Sequence, residues 1–135
     1  MIVTTIKMPQ YRWTIHTYIS VHGYLVSEIL QKLEQLGCKG RNLEDAHDNL
    51  MSGKLDGGLT YSDMAERETI MVIGMASSVA QYLNTITHEA FHVVQHICER
   101  MAIDMYEEEP CYIMGQLIQT LYQIITKNKE HEKDY

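Results

Sequence analysis

Cysteine, positive charge and long apolar runs are all scarce in this chain, and each shortage removes a class of protein. Cys38, Cys98 and Cys111 are odd in number, widely spaced and form no CxxC pair. No disulfide framework is expected, and a reducing, cytoplasmic setting fits best. Lys and Arg total 11 against 18 Asp and Glu, a formal net charge of -7, which argues against DNA or RNA as a partner. No stretch approaches the roughly 18 apolar residues of a membrane span. Met1 to Gln10 also lack a basic n-region followed by an apolar h-region, so neither secretion nor membrane insertion is expected.

What remains is a globular composition, 45% hydrophobic and 21% charged, in 135 residues. That length implies one domain over residues 1–135, enough for a single core but too small for a two-lobed protease with a deep cleft. Ile2 to Met8 and Tyr11 to Ile19 are rich in β-branched and aromatic residues and are separated by Pro9, which predicts two short strands or an arm. His22-Gly23 reads as a turn. Leu25, Ile29, Leu30, Leu33 and Leu36 then recur at helical spacing until Gly37. Asn42, with Asp45 three places on, is the expected cap of a second short helix closed by Gly53, and Gly57-Gly58 marks a loop.

The second half of the chain carries the stronger signals. Thr69 to Gly74 reads as a strand that can pair with Leu59 to Ser62. Ser77 or Ser78 can cap a long helix reaching about Met101, with Val79, Tyr82, Leu83, Ile86, Ala90, Phe91, Val93, Val94 and Ile97 covering most of its circumference. A last helix begins near Glu108 to Pro110 and carries Tyr112, Ile113, Leu117, Leu121 and Ile124, with Lys127 to Tyr135 as a charged, frayed tail.

On the long helix stands His88-Glu89-Ala90-Phe91-His92. Two imidazoles four residues apart share one helical face, about 6 Å apart along the axis, close enough to reach a single zinc ion. Glu89 is rotated off their row, where it can act as general base on a zinc-bound water. The flanking segment Thr85 to Val94 holds no other charge. Catalytic zinc generally takes three protein ligands. His96 cannot join His88 on one straight helix, because the two lie about 12 Å apart while nitrogens sharing a zinc lie within about 4 Å; it reads as a packed or supporting residue. The remaining choice is a carboxylate of Glu107-Glu108-Glu109, brought back by a chain reversal after Arg100. The alternative role for those three is a solvated acidic cap.

This motif and its surroundings resemble small zincin-like, gluzincin-type metallopeptidase-related proteins of bacterial mobile elements and phages. The likeness extends to Trp13-Thr14-Ile15-His16, Leu59-Thr60-Tyr61-Ser62, Arg67-Glu68-Thr69, Val72-Ile73-Gly74 and Glu108-Glu109-Pro110-Cys111-Tyr112-Ile113-Met114-Gly115. The resemblance implies an α+β, minimal zincin-like domain: a small N-terminal sheet with helices, and the His88–His92 helix packed antiparallel on a C-terminal helix. It also implies Glu108 as third ligand, with Glu109 as second choice, and a peptide or protein substrate. The strand Thr69 to Gly74 would lie along the cleft or serve as a plain core strand, and Tyr112 or Tyr61 would stabilise an oxyanion or pack in the core. Cys98 and Cys111 read as buried packing residues, with Cys111 an outside candidate for the metal. Two other readings compete with a zinc peptidase: a catalytically inactive accessory or structural protein of the same fold, and a peptide or small-molecule binding module whose histidines are merely buried.

Overall fold

The computed structural model describes residues 1–21 and 25–133, so the turn expected at His22-Gly23 lies outside the described residues. Strand β1 (Ile2–Met8) ends where Pro9 removes an amide donor. A single 3-10 turn over Pro9–Tyr11, closed by Arg12 in the left-handed region (φ 53°), reverses the chain into β2 (Trp13–Val21). Two helices follow, α1 (Val26–Gln35) and α2 (Gly40–Met51), then β3 (Gly58–Asp63) and β4 (Glu68–Gly74), and finally the long helices α3 (Val79–Met101) and α4 (Glu108–Lys133). The fold class is α+β.

The four strands form one sheet in the order β1-β2-β4-β3, with β2 and β4 parallel and the two outer pairs antiparallel. Alternation along β4 sends Ile70 and Val72 to one face and Met71 and Ile73 to the other, and all four are buried. The first pair packs with Tyr18 against Ile29, Leu33, Leu36 and Ala46 of the α1–α2 layer. Met71 and Ile73 pack with Trp13, Ile15 and Ile19 against Ala90, Val93, Val94 and Ile97 of α3 and Ile113, Leu117 and Leu121 of α4. A strand covered on both faces needs apolar residues at every position, which is why Thr69 to Gly74 reads as a continuous hydrophobic run.

Several local expectations change in the fold. Helix α2 starts two residues before Asn42, at Gly40, and its cap residue is Lys39, whose side chain makes no capping bond. Cys38 is buried beside Ala46, so the chain enters the helix directly on leaving the core and Asn42 falls inside its first turn. Gly58 belongs to β3 rather than to a loop. Ser78 does cap α3, accepting from the Gln81 amide at 3.1 Å. The apolar surface of α3 is wider than its buried face: Val79, Leu83 and Phe91 are exposed, Val79 at 73%. Six residues reverse the chain between α3 and α4, and α4 runs on to Lys133, past the point at Lys127 where the sequence suggests fraying.

Two outcomes follow from this packing. Leu117 is fully buried between α4 and the sheet-facing side of α3, so Leu117→Ala should lower the unfolding free energy by about 2–5 kcal/mol in urea titrations. The second concerns His16 on β2, whose Nε2 is buried without a hydrogen bond, 3.7 Å from Glu68 Oε1. Burial, then the nearby Lys32 charge, holds its pKa below the ordinary 6.5, and Glu68 only partly opposes them. The unfolded chain therefore takes up this proton at a higher pH than the folded one. Stability should fall as pH drops below about 6.5 toward the lowered native value and be indifferent to this group above it. Urea midpoints at pH 7.5 and 5.5 should differ more for the wild type than for His16→Gln.

Candidate metal centre

The α-helical turn of α3 brings His88 and His92 together as the spacing requires. Their ring centroids are 4.9 Å apart, their planes lie at 76°, and their Nε2 atoms are 3.3 Å apart. Two nitrogens that each sit about 2.05 Å from a tetrahedral ion are separated by about 3.3 Å, so this pair is already at the spacing a shared cation needs. A carboxylate oxygen of Glu89 completes a group whose three donor atoms lie within 4.8 Å of one another, close enough to hold a metal ion. His88 is exposed and His92 half-buried, so the pair opens to solvent.

Glu89 is oriented differently. Successive residues are 100° apart around a helix, and this step turns Glu89 from the histidine face toward β3, where it is only 6% exposed. Thr60 Oγ1 donates to its Oε1 at 2.7 Å, while Oε2 lies 3.9 Å from His88 Nε2. Among the described residues no Lys or Arg pairs with it. One carboxylate oxygen is thus held by a neutral donor, and the other faces the nearer imidazole. Gly58 makes this burial possible: a Cβ built there would meet Glu89 Oε2 at 2.7 Å and its Cγ at 2.8 Å.

His96 is not part of the metal group. Its Nδ1 lies 2.6 Å from Ser62 Oγ, which lies 2.6 Å from Thr69 Oγ1, which in turn accepts from Trp13 Nε1 at 2.8 Å. Burial first, then the neighbouring His92, lowers the His96 pKa.

The acidic cluster does not reach the histidines. Helix α3 continues nine residues beyond His92, about 13 Å along its axis, before the chain turns, so α4 starts at the far end. Glu107, Glu108 and Glu109 are exposed there. Glu109 accepts from Tyr11 at 2.8 Å, and burial together with this contact pushes the Tyr11 pKa up to about 12. Neither Glu108 nor Glu109 is brought to the His88–His92 pair. Tyr112 is 70% exposed on α4, and Tyr61 packs with the α1–α2 layer on the opposite face of the sheet. Cys98 is buried, while Cys111 is exposed rather than packed.

The strand beside the centre is β3, not β4, since β4 has neighbours on both sides. Gly74 N donates to Gly57 O, and alternation along an antiparallel ladder then turns the main-chain groups of residues 59 and 61 toward β4 and those of Gly58, Thr60 and Ser62 outward. Asn49 of α2 donates to the outward Gly58 oxygen at 3.3 Å. Gly58, Thr60, Ser62 and Thr69 escape sequence reasoning because small polar residues carry no periodic signal. The overlap of Leu59 to Ser62 with the expected pairing was the one available pointer. Compared with protein families, with curated proteins and with solved structures, the chain matches none of them.

The contact between Gly58 and Glu89 can be measured directly. Gly58→Ala should cost about 1–3 kcal/mol by overpacking, read from denaturant unfolding. Most of that cost should vanish in a Glu89→Ala background, because the obstructing side chain is then gone.

Proposed function

We propose that this chain is a zinc-dependent peptidase with a minimal zincin-like site. The observation that carries the reading is the 3.3 Å separation of His88 and His92 Nε2, with the Glu89 carboxylate buried alongside rather than aligned with them. His88 and His92 would hold the ion. When bound, zinc supplies Lewis acidity, which polarises a peptide carbonyl and makes water more acidic.

The chain's own groups do the rest. Glu89 takes a proton from the attacking water and delivers it to the departing amide nitrogen as the C–N bond breaks and the C–O bond forms. Thr60 keeps one carboxylate oxygen occupied, leaving Oε2 to turn toward the reacting water. The outward main-chain groups of Thr60 and Ser62 can pair with an extended substrate, a role expected of the Thr69–Gly74 strand and transferred here to its neighbour. The likeness of the motif region to zincin-like proteins of mobile elements and phages supports the same assignment.

A second reading, a metal-binding accessory protein without turnover, is favoured by one observation: the three metal-capable groups include no carboxylate from α4. Elemental analysis and a mixed peptide library separate the two. Zinc should bind stoichiometrically, be lost in His88→Ala and His92→Ala, and persist in Glu89→Gln and in Glu108→Ala. Cleavage should disappear in Glu89→Gln while zinc is retained, and metal-loaded wild type that cleaves nothing would leave the accessory reading.

A further inference from the structure

Beside His96 runs a groove of about 500 Å³ between α2 and the C-terminal half of α3, with the outward edge of β3 along its floor. Asn42, Asp45 and Asn49 line it from α2, and His96 and Glu99 from α3. Of the described residues lining it, Asp45 and Glu99 are the only ones with a formal charge, and both are acidic.

The hydrogen-bond chain behind His96 fixes what that ring offers the groove. The Trp13 indole can only donate, so Thr69 Oγ1 accepts from it. Thr69 is fully buried, and its hydroxyl proton finds an acceptor in Ser62 Oγ at 2.6 Å. The Ser62 proton then goes to His96 Nδ1. The opposite order would leave the buried Thr69 proton without an acceptor, at a cost of about 1–3 kcal/mol. His96 is thereby held as the tautomer with its proton on Nε2, on the side of the ring away from Ser62.

We propose that this groove binds an extended peptide segment carrying Lys or Arg, whose main chain pairs with Thr60 and Ser62 and one of whose carbonyl oxygens accepts from His96 Nε2–H. This rests on the cleft named in the peptidase reading but not on turnover. The unpaired strand edge supplies the main-chain complement, and Asp45 and Glu99 supply the sign of charge. His96 is a binding residue, and Trp13, Thr69 and Ser62 position it.

The test uses the full chain, with and without zinc, and two acetylated, amidated pentapeptides of alanine, one with lysine and one with glutamate at alternate positions. The lysine peptide should bind in both states, and His96→Phe should weaken it about fivefold, as loss of one hydrogen bond implies. Nitrogen NMR of the wild type should show His96 with a protonated Nε2 and a bare Nδ1, with a mixture of tautomers in Ser62→Ala. A proton on Nδ1 in the wild type, equal binding of the glutamate peptide, or unchanged affinity in His96→Phe would overturn the proposal. A dimer of the free chain that His96→Phe dissociates would also overturn it, assigning the groove to a second copy. Binding with the expected tautomer but no cleavage supports the groove and removes only the peptidase reading.

Discussion

The candidate centre is organised by one buried carboxylate, Glu89, pressed against a strand that has no side chain at the point of contact. Its burial follows from how α3 is held. Ala90, Val93, Val94 and Ile97 lock the helix onto the sheet and α4, and the 100° step per residue then leaves His88 and His92 on the open side and Glu89 and His96 toward β3. Gly58 admits the carboxylate, Thr60 binds one of its oxygens, and the other lies 3.9 Å from His88 Nε2. With a Cβ at position 58 the carboxylate would have to shift from this place.

The same sheet architecture decides which strand can meet a partner. Because β4 is covered on both faces and paired on both edges, its hydrophobic run serves the core alone. The open edge falls to β3, whose outward amides and carbonyls lie along the histidine side of α3. Exposed edges invite unwanted pairing. Here α2 screens one end through Asn49 and leaves the Thr60–Ser62 end beside a groove whose charged lining residues, Asp45 and Glu99, are acidic.

Features governed by local period were legible in the residues. The strands, the span of α3 with Ser78 as its cap, the start of α4 and the pairing of Leu59 to Ser62 with β4 all follow from patterns within a few residues of one another. The histidine pair was legible for the same reason, since four residues on a helix is a local distance. Features set by long-range geometry were not. Glu108 depended on where the chain reverses, and α3 runs nine residues too far for α4 to deliver it. Asn42 offers a sound cap, but the demand to bury Cys38 starts the helix earlier. Phe91 and Leu83 fit a helical stripe, yet both are exposed, with no layer among the described residues covering that side of α3. The Trp13–Thr69–Ser62–His96 chain joins four elements of structure, and nothing in any single segment announces it.

The openness of the pair limits the chemistry it can support unaided. His88 and His92 sit with Leu83 and Phe91 on a shallow, solvent-facing surface, where water screens charge and weakens electrostatic stabilisation of a transition state. Catalysis in such a place needs the substrate itself to displace that water. On the proposed reading, an extended chain added to β3 beside His96 would do so. The described fold would then supply a preorganised pair of ligands and a fixed base, and the bound chain would supply the low-dielectric enclosure.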